Sequence, residues 1–501
     1  MTTTSTGDGA WTSVVGAVDI SDDVVIAHDV TLDGNVDMTG ELKINSGKSL
    51  TTTGSNHALT VDGDCIVEGT LTGNASAISI GSLRVDGTYS ATSGTTIITS
   101  ERSNGRAIDI VGTYTHNSGT LEIRTPADTD LRYPSSSSLN NLTINHASCI
   151  ARPTGNNKPP IGGNLTITAG TFNTLDSDGS SNHALTVTGD ASVTGTLTGN
   201  ASAISFGSLT IPSGGTYSAT SGTTTITSES SLGYAANVDG TFTHNNGTLT
   251  ITTPASTFMS PITPYNLIIN HSSANVRFTG PSASTMTIAN DLTITAGIFD
   301  PDDGDENLTV TGDVSVTGTL GASNVTSAMS FGSLTINSGG TYIATSGTTT
   351  FATADTQRAG HSGQPSALEV KSGGTFTHNN GTVKLTSTYD QDIEMDGTGT
   401  LYNLTLNKSD NDVIHTSSLV IENNLDVTLA AGHSLRPSSG SNTVTVYGNT
   451  YLTTGIIGNT TQYTGTNNWG LVTINSGEFI LSTGTNNVSG IRNVGGTVSQ
   501  S

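Results

Sequence analysis

Apolar and polar residues alternate along this chain in short bursts, and each burst ends at a glycine or an asparagine. The commonest burst is a Leu-Thr-Ile/Val triplet or a close variant, led by Leu142, Leu165, Leu185, Leu209, Leu249, Leu267, Leu292, Leu308, Leu334, Leu404 and Leu425. Alternation of period two predicts strands, with the leucine and the β-branched third residue facing inward and the threonine outward. Apolar positions at helical spacing are never sustained, because Gly or Asn interrupts each candidate. Neighbouring triplets mostly lie 16 to 26 residues apart, and the 40 between Leu209 and Leu249 is two such steps. That period is the mark of a coil that stacks on itself, since a lone coil of about twenty residues cannot bury enough apolar surface to offset its ordering entropy.

A longer repeat contains the short one. "NHALTV" occurs at Asn56 and Asn182, "TLTGNASAIS" at Thr70 and Thr196, and "FGSLTI" at Phe206 and Phe331. "TYSATSGTT" occurs at Thr88 and Thr216, with "TYIATSGTT" at Thr341. Their constant order divides the chain into an entry segment 1–41, three copies at 42–164, 165–291 and 292–425, and a closing segment 426–501. The expected fold is all-β, a parallel β-solenoid of about twenty coils. The alternative is a row of β-sandwich domains, but strands of one sandwich need not resemble each other, and these do. Asn141, Asn164, Asn266, Asn307 and Asn403, each preceding a leucine, are expected to align into side-chain amide ladders.

"GTYTHNSGT" at Gly112 and "GTFTHNNGT" at Gly240 and Gly374 place His116, His244 and His378 in equivalent turns. With five or six coils between copies, at ~4.8 Å per strand, these histidines stand ~25 Å or more apart, too far to share a metal ion. The phrase is read as a repeated shape. Cys65 aligns with Ala191 and Cys149 with Ala274, so both cysteines are expected to be unpaired packing residues. Trp11 and Trp469, near the two ends, are expected to cap the terminal coils.

Forty acidic against sixteen basic residues give a net charge of -24, which argues against nucleic acid and anionic membranes as partners. From Pro159 to Gln357 the only basic residue is Arg277, against thirteen carboxylates. No stretch approaches transmembrane length, and the first residues show neither a basic nor an apolar leader region, so the expectation is either a leader removed from this sequence or exit by another route, such as release by lysis, which needs no signal.

Signatures of nucleotide binding, zinc proteases, serine hydrolases and CxxC redox chemistry are absent from the sequence. Two acidic stretches carry candidate chemistry. "DPDDGDE" gathers Asp300, Asp302, Asp303 and Asp305 around a glycine, as a calcium turn would, against a plain solvated turn as the alternative. "DSDG" at Asp176 is a thinner version. "YDQDIEMDG" places Asp390, Asp392, Glu394 and Asp396 on one face of an extended strand, each ~6.8 Å from the next, within the range of an inverting glycosidase. A solvated outer face is the reading preferred for it, because aromatic sugar platforms are scarce.

The opening "WTSVVGAVDISDDVVIAHDVTLDGNV" and the phrases "NLTVTGDVSVTGTL" and "GTGTLYNLTLNKS" resemble β-solenoid proteins of two kinds, bacteriophage fibre or appendage proteins and bacterial surface adhesins. The resemblance implies a right-handed parallel β-helix serving as a spacer or attachment rod, and carries over no catalytic residue. The expected function is a non-enzymatic, elongated structural or attachment protein of a phage virion, with a cell-surface adhesin and a polysaccharide depolymerase as alternatives. Its expected partners are other virion or surface proteins and host-surface glycans, with a homo-oligomer compatible. No cofactor is expected, with calcium at the turn of Asp300, Asp302, Asp303 and Asp305 kept as the alternative to the solvated turn.

Overall fold

A computed structural model describes residues 2–500 except 17–20, 53–54, 134–137, 156–159, 280–283, 302–305, 322–325, 353–365, 390 and 459–463. The chain is nearly all-β, with 57% strand and 1% helix, wound as a parallel β-solenoid of about 21 turns. It divides into two compact units, Met1–Thr248 and Leu249–Ser501. Tandem sandwiches are ruled out by strand direction. The ladders between described strands are parallel, and among the described residues one isolated antiparallel bridge joins Leu175 to Asn182 within a turn.

The coil is clearest in the first unit. Leu185–Thr186, Asp190–Val193 and Thr196–Thr198 form one turn, and each pairs with its counterpart in the next: Ile204–Phe206, Ser208–Ile211 and Thr216–Ser218. A coil therefore has three strands and three faces. Inward columns follow from the register: Leu165, Ala191, Leu209 and Ala236 on one face, Phe172, Leu197, Tyr217 and Phe242 on another. In the second unit the column Leu267, Leu292, Val314, Leu334, Leu368, Ile393 repeats the first, and all six side chains are buried. Burying each such Leu or Val contributes about 1.5–3 kcal/mol.

The triplet leucines do not form one column. Leu165 and Leu209 share a face with Ala191 between them, whereas Leu185 pairs with Ile204 on the neighbouring face. Insertions at coil corners change the spacing of successive partners, so period alone does not assign the face.

The amide ladders form in part. Asn290 donates its amide to the Asn266 carbonyl oxygen at 2.9 Å, and Asn423 to that of Asn403 at 3.0 Å. At Asn141, Asn164 and Asn307 the side-chain oxygen instead accepts a backbone N–H of the next coil, from Asn164, Asp190 and Ala328 respectively. Both arrangements satisfy a corner that leaves backbone groups without strand partners.

Both cysteines are free and buried. Cys65 lies between Leu42 and Leu83 in an inward column, as Ala191 lies between Leu165 and Leu209. Burial, with Asp64 and Glu41 nearby, pushes the Cys65 thiol up to about 12. Thiol titration is expected to count two free groups in denaturant and almost none in the native protein, since a buried protonated thiol is a poor nucleophile. Fewer than two in non-reducing denaturant contradicts the packing assignment.

The tryptophans differ from expectation at one end. Trp11, on the single-turn helix Trp11–Val14, is buried, and that helix packs on the strands Gly9–Ala10 and Val30–Leu32. Trp469 is buried too, at 5.1 Å edge-on to Phe479, but its strand is followed by another, with Val488 directly over it. It is a core residue of a coil already covered by Asn486–Asn493.

Candidate functional site

The repeated histidine phrase is a turn device. In each copy a glycine N–H bonds the histidine carbonyl three residues back: Gly119 to His116 and Gly247 to His244 at 2.9 Å, Gly381 to His378 at 2.8 Å. The two residues between have positive φ: Asn117 and Ser118, Asn245 and Asn246, Asn379 and Asn380. This is a type I′ turn, which is why Asn and Gly recur there. Each imidazole Nδ1 accepts the backbone N–H two residues on, at 2.9 Å from Ser118, Asn246 and Asn380. The first turn asparagine reaches to the preceding coil, where Asn117 donates to the Ala91 carbonyl and Asn245 to that of Ala219, both at 2.7 Å, and Asn379 to that of Ala344 at 2.9 Å. His146 and His271, in the "NH" phrases, accept from Ser148 and Ser273 in the same way. With Nδ1 accepting, the neutral ring carries its proton on Nε2. His378 points that atom at Glu422 Oε2, 3.3 Å away, and stacks on Tyr402. Neither nitrogen of that ring is available as a general base or a metal ligand.

Of the calcium-turn residues, Asp300 is buried and faces Arg277, its neighbour across the ladder, with Oδ2 3.9 Å from Nε. The lone base of that long acidic stretch thus sits beside a carboxylate. Asp302, Asp303 and Asp305 lie outside the described residues. The thinner acidic turn is satisfied internally: Asp176 accepts the N–H groups of Ser180 and Ser181 at 2.8 and 3.0 Å and the Ser180 hydroxyl at 3.1 Å. Among the described residues no group of three or more His, Cys, Asp or Glu is arranged to hold a metal ion.

The carboxylate strand departs from the solvated face expected of it. The strand is Gln391–Met395, with Ile393 fully buried in the core column, so Asp392 and Glu394 share the opposite face. Asp390 lies outside the described residues, and Asp396 follows the strand and is exposed. Asp392 is only 6% exposed, and Glu394 is intermediate. Register places Glu369 beside Glu394, a partner that sequence spacing alone does not reveal. Glu369 accepts the Thr335 hydroxyl at 3.1 Å and lies 3.8 Å from Lys371 Nζ. Burial raises the Glu394 pKa above the usual carboxylate range, and repulsion from Asp396 and Glu369 adds to the effect. A carboxyl held above its ordinary range with other carboxyls beside it is an arrangement that acid–base hydrolysis of a glycoside can use.

The same region buries two further polar residues that patterning does not signal. Lys408 is buried and donates to the Tyr389 carbonyl. His415 is 1% exposed, with Nδ1 2.9 Å from the Ser417 carbonyl. It stands where "NLIINHSSANVRF" of the second copy has Phe278, so the equivalent core position is aromatic and apolar there.

No family model, curated protein or solved structure matches this chain. Among the described residues no helix is long and apolar enough to cross a membrane.

Proposed function

We propose that the chain is a non-enzymatic structural or attachment protein of a phage virion, a component of a fibre, spike or decoration. The observation that carries this reading is the fate of the repeated polar phrases. His116, His244 and His378 and the asparagines after them are spent on turns and on bonds between coils, so what the sequence repeats is a scaffold. The placement on a virion rests on the resemblance of its phrases to phage fibre and appendage proteins. Its partners are then other virion proteins and glycans of the host surface. A bacterial adhesin would use the same scaffold. Mass spectrometry of purified particles and of the bacterial envelope tests the placement, with peptides expected in the particles; recovery only in the envelope favours the adhesin.

A second reading, a polysaccharide depolymerase, is favoured by the raised pKa of Glu394 beside Glu369 and Asp396. Reducing-sugar release from host capsule and lipopolysaccharide tests it. We expect none. Turnover that disappears in Glu394→Gln while the melting curve is unchanged would overturn the non-enzymatic reading.

A further inference from the structure

Among the described residues only two aromatic side chains are classed as exposed, Tyr389 and Tyr447, and Tyr447 at 71% is the more open. Tyr447 borders a groove of about 530 Å³ whose lining includes Asn468, Trp469, Gly470, Asn487 and Ser489. Glycine makes room for it. Val446 pairs with Trp469, so Gly470 is the residue beside Tyr447 in the next coil, and a Cβ there would come within 1.8 Å of the Gly448 carbonyl oxygen. No side chain can grow from that position to cover the ring.

Beside the ring the lining carries a row of amides. Asn487 donates to the Asn468 carbonyl oxygen at 2.8 Å, and Asn468 donates to the Thr445 hydroxyl at 3.1 Å. This ladder runs one way and fixes the amide planes. Asn487 is exposed, and one N–H and the carbonyl oxygen of its amide remain to bond solvent or a ligand. None of the residues that line the groove is acidic or basic, in a chain of net charge -24.

We propose that this groove binds a neutral oligosaccharide, with one face of a pyranose ring on Tyr447 and its hydroxyls on Asn468, Asn487 and Ser489. An open aromatic face suits the C–H face of a sugar, and fixed amides, which donate and accept, suit vicinal hydroxyls. The absence of a cation in the lining, together with the overall negative charge, disfavours acidic sugars, and the absence of a carboxylate disfavours amines. The inference rests on the attachment reading and supplies its ligand class.

The test uses the full chain with chitotetraose, maltotetraose and mannotetraose as neutral probes, and tetragalacturonate and a heparin tetrasaccharide as anionic ones. Binding is followed by calorimetry. At least one neutral probe is expected to bind at up to about 10 mM, with affinity falling roughly tenfold or more in Tyr447→Ala and holding within about twofold in Tyr447→Phe. Tyr447 is exposed, so both variants should melt like the parent. Failure of all three neutral probes, equal affinity in Tyr447→Ala, or tighter binding of the anionic probes overturns the proposal. None of these results bears on presence of the chain in particles, which is measured separately.

Discussion

Replacing Tyr217 by alanine is expected to destabilise its region by about 3–5 kcal/mol, and replacing it by phenylalanine by about 1–2 kcal/mol. The phrase "TYSATSGTT" and its variant place the same device in each copy. Tyr89, Tyr217 and Tyr342 are buried, and their hydroxyls lie 2.7 Å from the hydroxyls of Thr96, Thr224 and Thr349. Burial pushes each of the three phenols well above its ordinary range, so they stay protonated. Each ring also packs on the aromatic of the next coil, Tyr217 on Phe242 at 5.8 Å and Tyr342 on Phe376 at 5.6 Å. Alanine removes the ring and leaves a cavity under Phe242, whereas phenylalanine keeps the packing and strands only the Thr224 hydroxyl. Because coils contact only their neighbours, the loss should be local. Hydrogen exchange is therefore the measurement of choice, with faster opening expected in 204–243 and little change beyond. Equal effects of the two substitutions would contradict this account of the site.

That device was visible in the sequence as a repeated phrase, but its mechanism was not. Tyr217 points inward between Thr216 and Ser218, as period two requires of a residue within its strand. Alternation could not show that Thr224, at the start of the next coil, has its hydroxyl within reach, since that depends on the corner between them. The same limit governs the rest of the fold. Cys65 and Ala191 were matched correctly, because both occupy inward positions of equivalent strands. Leu165 and Leu185 fell on different faces, because corners of unequal length break the link between period and face.

Stability is expected to fall by about 3 kcal/mol as pH drops from about 6.5 to about 4, and His415→Phe is expected to remove most of that fall. Burial drives the His415 pKa down from 6.5 to about 4, and the Ser417 carbonyl opposes the shift only in part. The sign follows from proton binding. Between those two values the unfolded chain takes up a proton that the native core refuses, so acid favours unfolding. Above about 6.5 both states are neutral, below about 4 both are charged, and the contribution is constant on either side. Phenylalanine is the residue of the second copy at this position, Phe278, and it has no proton to take up. Carboxylates elsewhere also titrate in acid, so the quantity to compare is the difference between parent and variant across the window. Parallel pH profiles of the two proteins would place the ring in contact with solvent.

Of the candidate chemistry, composition and spacing located the acidic strand but not its setting. Asp392, Glu394 and Asp396 were read as one solvated row, yet burial separates Asp392 from Asp396, and the nearest carboxylate neighbour of Glu394 across the ladder is Glu369. Neighbours within a coil stack are set by register, and no local pattern encodes register between distant strands. The Tyr447 groove was equally hidden. Its aromatic, its glycine and its amides come from three successive strands, and each is unremarkable in its own stretch of sequence.

The central claim is that the coil is the structural unit, and deletion of one coil tests it most directly. Removing 185–203 joins Ala184 to Ile204, and Ala203 precedes Ile204 just as Ala184 precedes Leu185. Ile204, Leu209 and Tyr217 then take the inward places of Leu185, Ala191 and Leu197, an overpacking that costs about 1–3 kcal/mol. Removing only 185–194 moves every following strand onto the wrong face. The first deletion should keep the β signal in circular dichroism and a cooperative unfolding transition, and the second should lose the transition. Equal disruption by both, or survival of the partial deletion, would contradict a stack of three-stranded coils.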